Sequence, residues 1–145
     1  MILFCMNGCN DEIIEQIPDI IHLNTTPGGC NNQDFSSLKS ATIENDTVYF
    51  SLINDTLSLF AGINYICCAP FTSEVNVSND SIFVSLNDTC DESTGICYCR
   101  CNCYYTWEFL FGDFMEGTYY LKVELNDPRQ NEATPVFEGL IDVGI

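Results

Sequence analysis

The amino-acid sequence predicts an all-β protein: an immunoglobulin-like antiparallel β-sandwich of about seven strands that is cross-linked by disulfides. From residue 39 onward, short runs of β-branched, aromatic and aliphatic residues alternate with turn residues at intervals of roughly ten. The pattern contains no long amphipathic helix and no membrane-spanning apolar stretch. Ten cysteines in 145 residues are the third indication, because that density is typical of domains cross-linked in an oxidising compartment.

The first nine residues run from apolar to small to cysteine, with Gly8 directly before Cys9 and the acidic run Asn10-Asp11-Glu12 behind it. This arrangement resembles the end of a bacterial lipoprotein signal, and the acidic run resembles that of surface-exposed lipoproteins in the Bacteroidetes. The resemblance implies that residues 1–8 are a remnant of the signal and that Cys9 carries a lipid. The apolar stretch is shorter than the roughly 7–15 residues that export requires, so we expect the leader to begin upstream of Met1.

Residues 9–38 are predicted to form a flexible tether, and residues 39–145 the β-sandwich domain. Pro18, Pro27 and a Gly-Gly pair interrupt any long periodicity in the tether. The single histidine, His22, also lies there, so a Ser-His-Asp or Cys-His site inside the domain is excluded. The scattered carboxylates suggest no particular catalytic pair. We therefore predict a protein that is not an enzyme and has no cofactor.

Seven strands are predicted within the domain: Thr47–Ile53, Leu57–Cys67, Ser73–Val77, Ser81–Leu86, Cys97–Phe111, Thr118–Leu125 and Val136–Val143. Four Asn-Asp-Thr/Ser triplets, which begin at residues 45, 54, 79 and 87, are predicted to form hairpin turns because Asn and Asp tolerate left-handed backbone. The first three continue with an aliphatic residue and resemble the O-glycosylation motif of exported Bacteroidetes proteins.

The four cysteines at 97, 99, 101 and 103 alternate with other residues, which is the period of a strand. If the strand continues, the same face carries Tyr105, Trp107, Phe109 and Phe111. A face that is first cysteine and then aromatic is typical of the inside of a sandwich. We therefore predict that Trp107 is buried.

With Cys5 in the signal and Cys9 lipidated, an even number of cysteines remains, which predicts four disulfides. Neighbouring cysteines of the row are too widely spaced to bond easily to each other. Their partners are therefore expected across strands or across the sandwich. Cys30 is predicted to bond to Cys90 or to one end of the row. The predicted disulfide cysteines are Cys30, Cys67, Cys68, Cys90, Cys97, Cys99, Cys101 and Cys103.

A thiol-based zinc or copper site is the alternative use of these cysteines. Alternate residues of a strand lie roughly 6.6 Å apart, so the row would span about 20 Å and could not place four sulfurs around one zinc ion. A bent loop could do so for a thiolate-binding ion such as Cu(I), with Cys67 and Cys68 completing the site. The main prediction contains no metal.

The charge balance of 21 acidic against four basic residues gives a net charge of −17. Such a surface repels phosphate backbones and anionic lipid headgroups. We therefore predict no nucleic-acid partner and membrane attachment only through the lipid anchor. The remaining partner classes are a protein or a glycan at the cell surface.

Three motifs occur in order along the chain: Tyr65-Ile66-Cys67-Cys68, Cys99-Arg100-Cys101-Asn102-Cys103-Tyr104-Tyr105 and Gly117-Thr118-Tyr119. Together they resemble a group of small uncharacterised cysteine-rich lipoproteins of the Bacteroidetes over residues 60–125. The resemblance implies export, a β-sandwich and a location in the cell envelope as an outer-membrane lipoprotein. It supplies no catalytic residues.

Overall fold

A computed structural model describes residues 19–30, 46–91, 93–94 and 96–144 of the chain. Its eight strands are β1 (Ile21–Cys30), β2 (Thr47–Ile53), β3 (Thr56–Ile66), β4 (Phe71–Ser78), β5 (Ser81–Asp88), β6 (Asn102–Gly112), β7 (Gly117–Asn126) and β8 (Thr134–Val143). They form two four-stranded sheets, in the orders β1-β6-β3-β2 and β4-β5-β7-β8. The predicted disulfide-linked β-sandwich is therefore confirmed. No helix among the described residues is long and apolar enough to cross a membrane.

Two of the four Asn-Asp triplets form the predicted hairpin turns. Asn54 joins β2 to β3 and Asn79 joins β4 to β5, each as the first residue of a two-residue loop with φ near +55° (58° and 53°). Asn is suited to this left-handed backbone. The other two triplets differ, because Asp88 ends β5 as a buried residue and Asp46 precedes β2, where its carboxylate accepts a hydrogen bond from the backbone N–H of Asn64.

The core lies between the inward faces of the two sheets. Strand β6 contributes buried Cys103, Tyr105, Trp107, Phe109 and Phe111, whose alternation matches the predicted face. The ring of Phe71 at the start of β4 meets the rings of Tyr65, Tyr105 and Trp107 edge-on, with centroids 4.9–5.3 Å apart. Edge-to-face contacts of this kind are favourable beyond the area that they bury, so they hold one sheet to the other.

Trp107 is 4% exposed, as predicted. We therefore expect native fluorescence that is blue-shifted relative to tryptophan in water, and a red shift when the protein is reduced in denaturant. Emission spectra excited selectively at tryptophan wavelengths measure both states. A native emission maximum equal to that of the denatured chain would contradict this burial.

The prediction of a tether is wrong for Ile21–Cys30, which form β1 along β6. The sequence did not predict this strand because its residues are mostly polar and include Pro27. Proline is tolerated on an edge strand, where its missing N–H is not needed for pairing. Register shifts at His22/Asn24 and Pro27/Gly29 also break the period of two. Ile20, just before β1, is also part of the core and not of a tether. Residues 9–18 of the predicted tether, which include Cys9, and residues 31–38 lie outside the described residues.

Two further differences concern β6 and the strand directions. Strand β6 begins at Asn102 and not at Cys97, because residues 97–101 form a loop that three disulfides hold against β3 and Cys90.

The sheets are also not purely antiparallel, since β5 and β7 pair in parallel. The chain between them crosses to the other sheet as β6, so β7 returns in the direction of β5.

Candidate functional site

Each cysteine of the 97–103 row bonds to one of the four cysteines outside it. The pairs are Cys30–Cys103, Cys67–Cys101, Cys68–Cys99 and Cys90–Cys97, with Cα–Cα distances of 5.3–5.8 Å. These distances are typical of protein disulfides. All eight cysteines that the sequence analysis assigned to disulfides are thus bonded, and Cys30 is joined to one end of the row.

A sharp turn at the end of β3 lets two consecutive cysteines reach the row. Cys68 has a φ of 67°, which turns the backbone after Cys67 and directs the two side chains to different partners. Two backbone hydrogen bonds, from Cys67 to Cys101 and from Cys99 to Cys67, hold the loop beside the turn. The loop is therefore fixed by backbone pairing as well as by sulfur.

Two of the disulfides are in direct contact. The Sγ of Cys103, which is bonded to Cys30, is adjacent to the Sγ of Cys67, which is bonded to Cys101. The sulfurs of Cys30, Cys67 and Cys103 all lie within 4.8 Å of one another and form what we call the sulfur cluster. The cluster is the one place among the described residues where three potential metal ligands of this kind converge.

The contact predicts an exchange of partners when Cys101 is removed. In Cys101→Ser the freed Cys67 thiolate lies against Cys103 Sγ, so we expect it to form Cys67–Cys103 and release the Cys30 thiolate. Alkylation of the unreduced variant followed by peptide mapping should place the label on Cys30. In the control Cys99→Ser the freed Cys68 lies outside the sulfur cluster and should itself be labelled. A label on Cys67 in Cys101→Ser would contradict the expected exchange.

A hydrogen-bonded network connects the disulfide loop to the end of the sandwich. Asp88 is 6% exposed, and its carboxylate accepts hydrogen bonds from the hydroxyls of Tyr65 (2.9 Å) and Tyr98 (2.8 Å) and from the N–H of Cys90 (2.9 Å). Burial and then the bond to Asp88 raise the pKa of Tyr98 to about 12, and both effects also raise the pKa of Tyr65. Both hydroxyls therefore remain donors at neutral pH.

Arg129 places a positive charge next to the two tyrosines of this network and next to a second buried carboxylate, that of Asp127. Its guanidinium lies over the rings of Tyr65 and Tyr98, about 5 Å from each centroid (5.1 and 5.0 Å). It also donates two hydrogen bonds to Asp127, of 2.8 and 2.7 Å. These bonds lower the pKa of the Asp127 carboxyl and raise that of the guanidinium. The pair is bidentate, with a buried carboxylate and an exposed guanidinium (side chains 3% and 41% exposed), and two parallel charge-assisted bonds of this kind are strong.

Asp88 and Asp127 line a cleft of about 190 Å³ at this end of the sandwich. The other residues of its wall are Asn126, Pro128, Gln130, Asn131, Glu132 and Ala133. Two carboxylates in a cleft are the arrangement that acid–base catalysis uses. Here, however, the tyrosine hydroxyls already bond to Asp88, and the guanidinium of Arg129 already bonds to Asp127. The arrangement therefore orders the surrounding loops.

The outward surface of the first sheet is aromatic and almost uncharged. Tyr49 on β2 and Phe60 on β3 are register partners, and their rings stack with centroids 4.5 Å apart and planes 13° apart. Tyr49 is 57% exposed. The only charged side chain in the four strands of this sheet is Glu108, which accepts a hydrogen bond of 3.0 Å from Ser58.

Gly62 allows a third ring onto this surface. A Cβ at this position would overlap the ring of Tyr104, which lies across the glycine from β6. An aromatic ring over a glycine of the neighbouring strand compensates for the missing side chain. We call the outward surface formed by Tyr49, Phe60 and Tyr104 the aromatic face.

The second sheet contrasts with the aromatic face. Its strands carry six charged residues, namely Glu74, Asp88, Lys122, Glu124, Glu138 and Asp142. Its outward surface is tied by polar contacts, such as the ion pair of Lys122 with Glu124 (2.8 Å) and the bond from Tyr120 to Glu138 (2.7 Å). Most of the charged residues of the strands therefore lie in the second sheet, although its outward surface also carries the neighbouring rings of Phe83 and Tyr120.

Sequence reasoning missed the aromatic face and the Asp88 network. Alternation places Phe60 and Tyr104 on outward positions, but only the pairing of β2, β3 and β6 brings them together. Asp88 was interpreted as part of a turn because it follows Asn87. His22 lies exposed on β1, with its Nε2 2.9 Å from the hydroxyl of Thr25.

No family model, curated protein or solved structure matches this chain. The class of protein therefore rests on its own residues. Four disulfides within one small domain indicate an oxidising, extracytoplasmic location.

Proposed function

We propose that this chain is an outer-membrane lipoprotein of the cell envelope that binds a partner through its β-sandwich and catalyses no reaction. The observation that carries this proposal is the aromatic face, where the exposed ring of Tyr49 and the half-buried rings of Phe60 and Tyr104 lie on a rigid, cross-linked scaffold. Exposed aromatic patches on folded domains mark interaction sites, because burying them on a partner removes apolar area from water. The resemblance of the N-terminal residues to a lipoprotein signal supplies the anchor.

The covalent scaffold suits this role. Strands β3 and β6, which carry Phe60 and Tyr104, are joined at one end by the bond between Cys67 and Cys101. A binding surface that is rigid before contact loses less conformational entropy when a partner binds. The disulfides therefore support binding as well as stability.

Anchoring is tested in the native host with the complete leader. We expect metabolic labelling with an alkyne fatty acid to modify the wild-type protein and Cys5→Ala but not Cys9→Ala, because Cys5 leaves with the signal. The three proteins should differ in the same way in their partition into detergent. Equal labelling of wild type and Cys9→Ala would rule out the proposed anchor.

A thiolate metal site is the second candidate function, and the sulfur cluster is the observation that favours it. Three thiolates within 4.8 Å of one another could bind Cu(I) if the Cys30–Cys103 and Cys67–Cys101 bonds were reduced. Counting free thiols in the purified, unreduced protein distinguishes the two functions. Fully bonded cysteines from residue 30 onward support the binding module, whereas four free thiols at Cys30, Cys67, Cys101 and Cys103, together with bound copper, support the metal site.

A further inference from the structure

We infer that the aromatic face binds a neutral glycan chain through the stacked rings of Tyr49 and Phe60 and the neighbouring ring of Tyr104. This inference rests on the proposed function and specifies the class of its ligand. Three properties of the face support it: the exposed ring of Tyr49 beside two half-buried rings, the polar groups at their border, and the low charge of the strands that carry them, in which Glu108 is the single charged side chain.

The ring surfaces match the apolar side of a sugar. One side of the Tyr49 ring packs on Phe60, and the residue remains 57% exposed at the edge of the sheet. The faces of an aromatic ring carry negative charge density, which attracts the polarised C–H groups of a pyranose. Tyr104 continues the aromatic area along the sheet, because Gly62 leaves room for its ring.

Polar groups next to the rings could bind sugar hydroxyls. Glu108 is the register partner of Phe60, and its exposed carboxylate accepts a hydrogen bond from Ser58. Asn64, the register partner of Tyr104, is also exposed. An apolar surface with a few placed polar groups is the usual composition of a small-ligand site.

Electrostatics determines which partners fit. The chain carries a net charge of −17, which repels acidic polysaccharides, anionic lipids and a second copy of the same chain. The same net charge attracts cationic partners to the surface as a whole, but within the strands of this sheet Glu108 is the single charged side chain that could pair with one. Among the classes of partner, the aromatic face therefore favours an uncharged ligand, which ring stacking and hydrogen bonds can recognise.

Affinity electrophoresis of the purified protein in native gels tests the inference. The gels contain laminarin, yeast mannan, dextran, starch or xyloglucan as neutral probes and polygalacturonate as the acidic probe. We expect retardation by at least one neutral polysaccharide and none by polygalacturonate. Tyr49→Ala should weaken the binding at least tenfold. Gly62→Ala should weaken it too, since its methyl group displaces the Tyr104 ring while every aromatic residue is kept.

Phe83→Ala is the matched control, because Phe83 is an exposed aromatic residue on the outward surface of the other sheet. It should bind like the wild type. Circular dichroism and melting curves of all variants separate loss of binding from loss of fold. Failure of all five neutral probes to retard the protein, or equal retardation of Tyr49→Ala and wild type, would overturn the inference.

A cross-linking arm separates this inference from the proposed function. A photoreactive phenylalanine at position 49 is irradiated on intact cells of the native host. Attachment of carbohydrate supports the glycan. Attachment to a protein would overturn the glycan inference and leave the binding module in place. Absence of any cross-link, together with absence of polysaccharide binding, would overturn both.

Discussion

Removal of the Cys30–Cys103 bond in Cys30→Ser/Cys103→Ser is expected to lower the free energy of unfolding by about 4 kcal/mol. The bond closes the longest loop of the four, because its two cysteines are 73 positions apart in the sequence. A cross-link restricts the unfolded chain more as its loop grows. It also holds the edge strand β1, whose residues are mostly exposed and therefore contribute little burial of their own. For a domain of this size the change corresponds to a fall in melting temperature of about 15 °C.

The matched control is Cys90→Ser/Cys97→Ser, which opens a loop of only 7 residues. It should cost about 2 kcal/mol by the same reasoning. Urea unfolding of both double variants, followed by far-UV circular dichroism, gives the two values. A larger loss for the short loop than for the long one would contradict the chain-entropy explanation. Full reduction should lower the free energy of unfolding by more than either variant does. It should abolish cooperative unfolding, because a small domain has only about 5–15 kcal/mol of stability.

Asp88→Ala is the second substitution with a large expected effect: it should lower the free energy of unfolding by about 4 kcal/mol. The substitution removes the acceptor of three hydrogen bonds, from Tyr65, Tyr98 and the N–H of Cys90. Tyr65 is buried, so its hydroxyl would lose its partner with little access to water. Leaving buried donors unsatisfied costs more than the hydrogen bonds themselves contribute. Denaturant unfolding measures the loss.

Two controls distinguish the network from a simple loss of charge. Asp88→Asn keeps one acceptor oxygen and should cost clearly less than Asp88→Ala. Tyr98→Phe removes one hydrogen bond on the half-buried side and should cost about 1 kcal/mol. Equal losses for Asp88→Asn and Asp88→Ala would mean that the negative charge of Asp88 matters and the hydrogen bonds do not. A value for Asp88→Ala within 1 kcal/mol of wild type would contradict the network altogether.

The network and the disulfides act on the same loop. Residues 89–101 leave β5 at Asp88, and three of the four disulfides hold them. The Asp88 carboxylate binds the loop through Cys90 and Tyr98, while Arg129 packs on Tyr98 from the connection between β7 and β8. Such a loop contains little hydrophobic core of its own, so covalent and polar contacts together replace it.

The class of fold and most of the strands can be predicted from the pattern of residues along the chain. Seven strands were predicted near their observed positions, because alternation has a fixed period of two and Asn54 and Asn79 mark tight turns. Trp107 was assigned to the inside for the same reason. The eight disulfide cysteines and the far-reaching bond of Cys30 followed from their even number and from the geometry of a single strand.

The other features of the fold and of the site depend on contacts between residues that are distant in the chain, so folding is needed to establish them. Strand β1 has no periodicity that identifies it, and it exists through its pairing with β6 and the bond to Cys103. The choice among 105 possible disulfide pairings depends on where β3 ends beside the loop before β6. The aromatic face likewise arises when register places Tyr49 beside Phe60. Alternation assigns a side chain to one side of a strand, but the register between strands selects its neighbours.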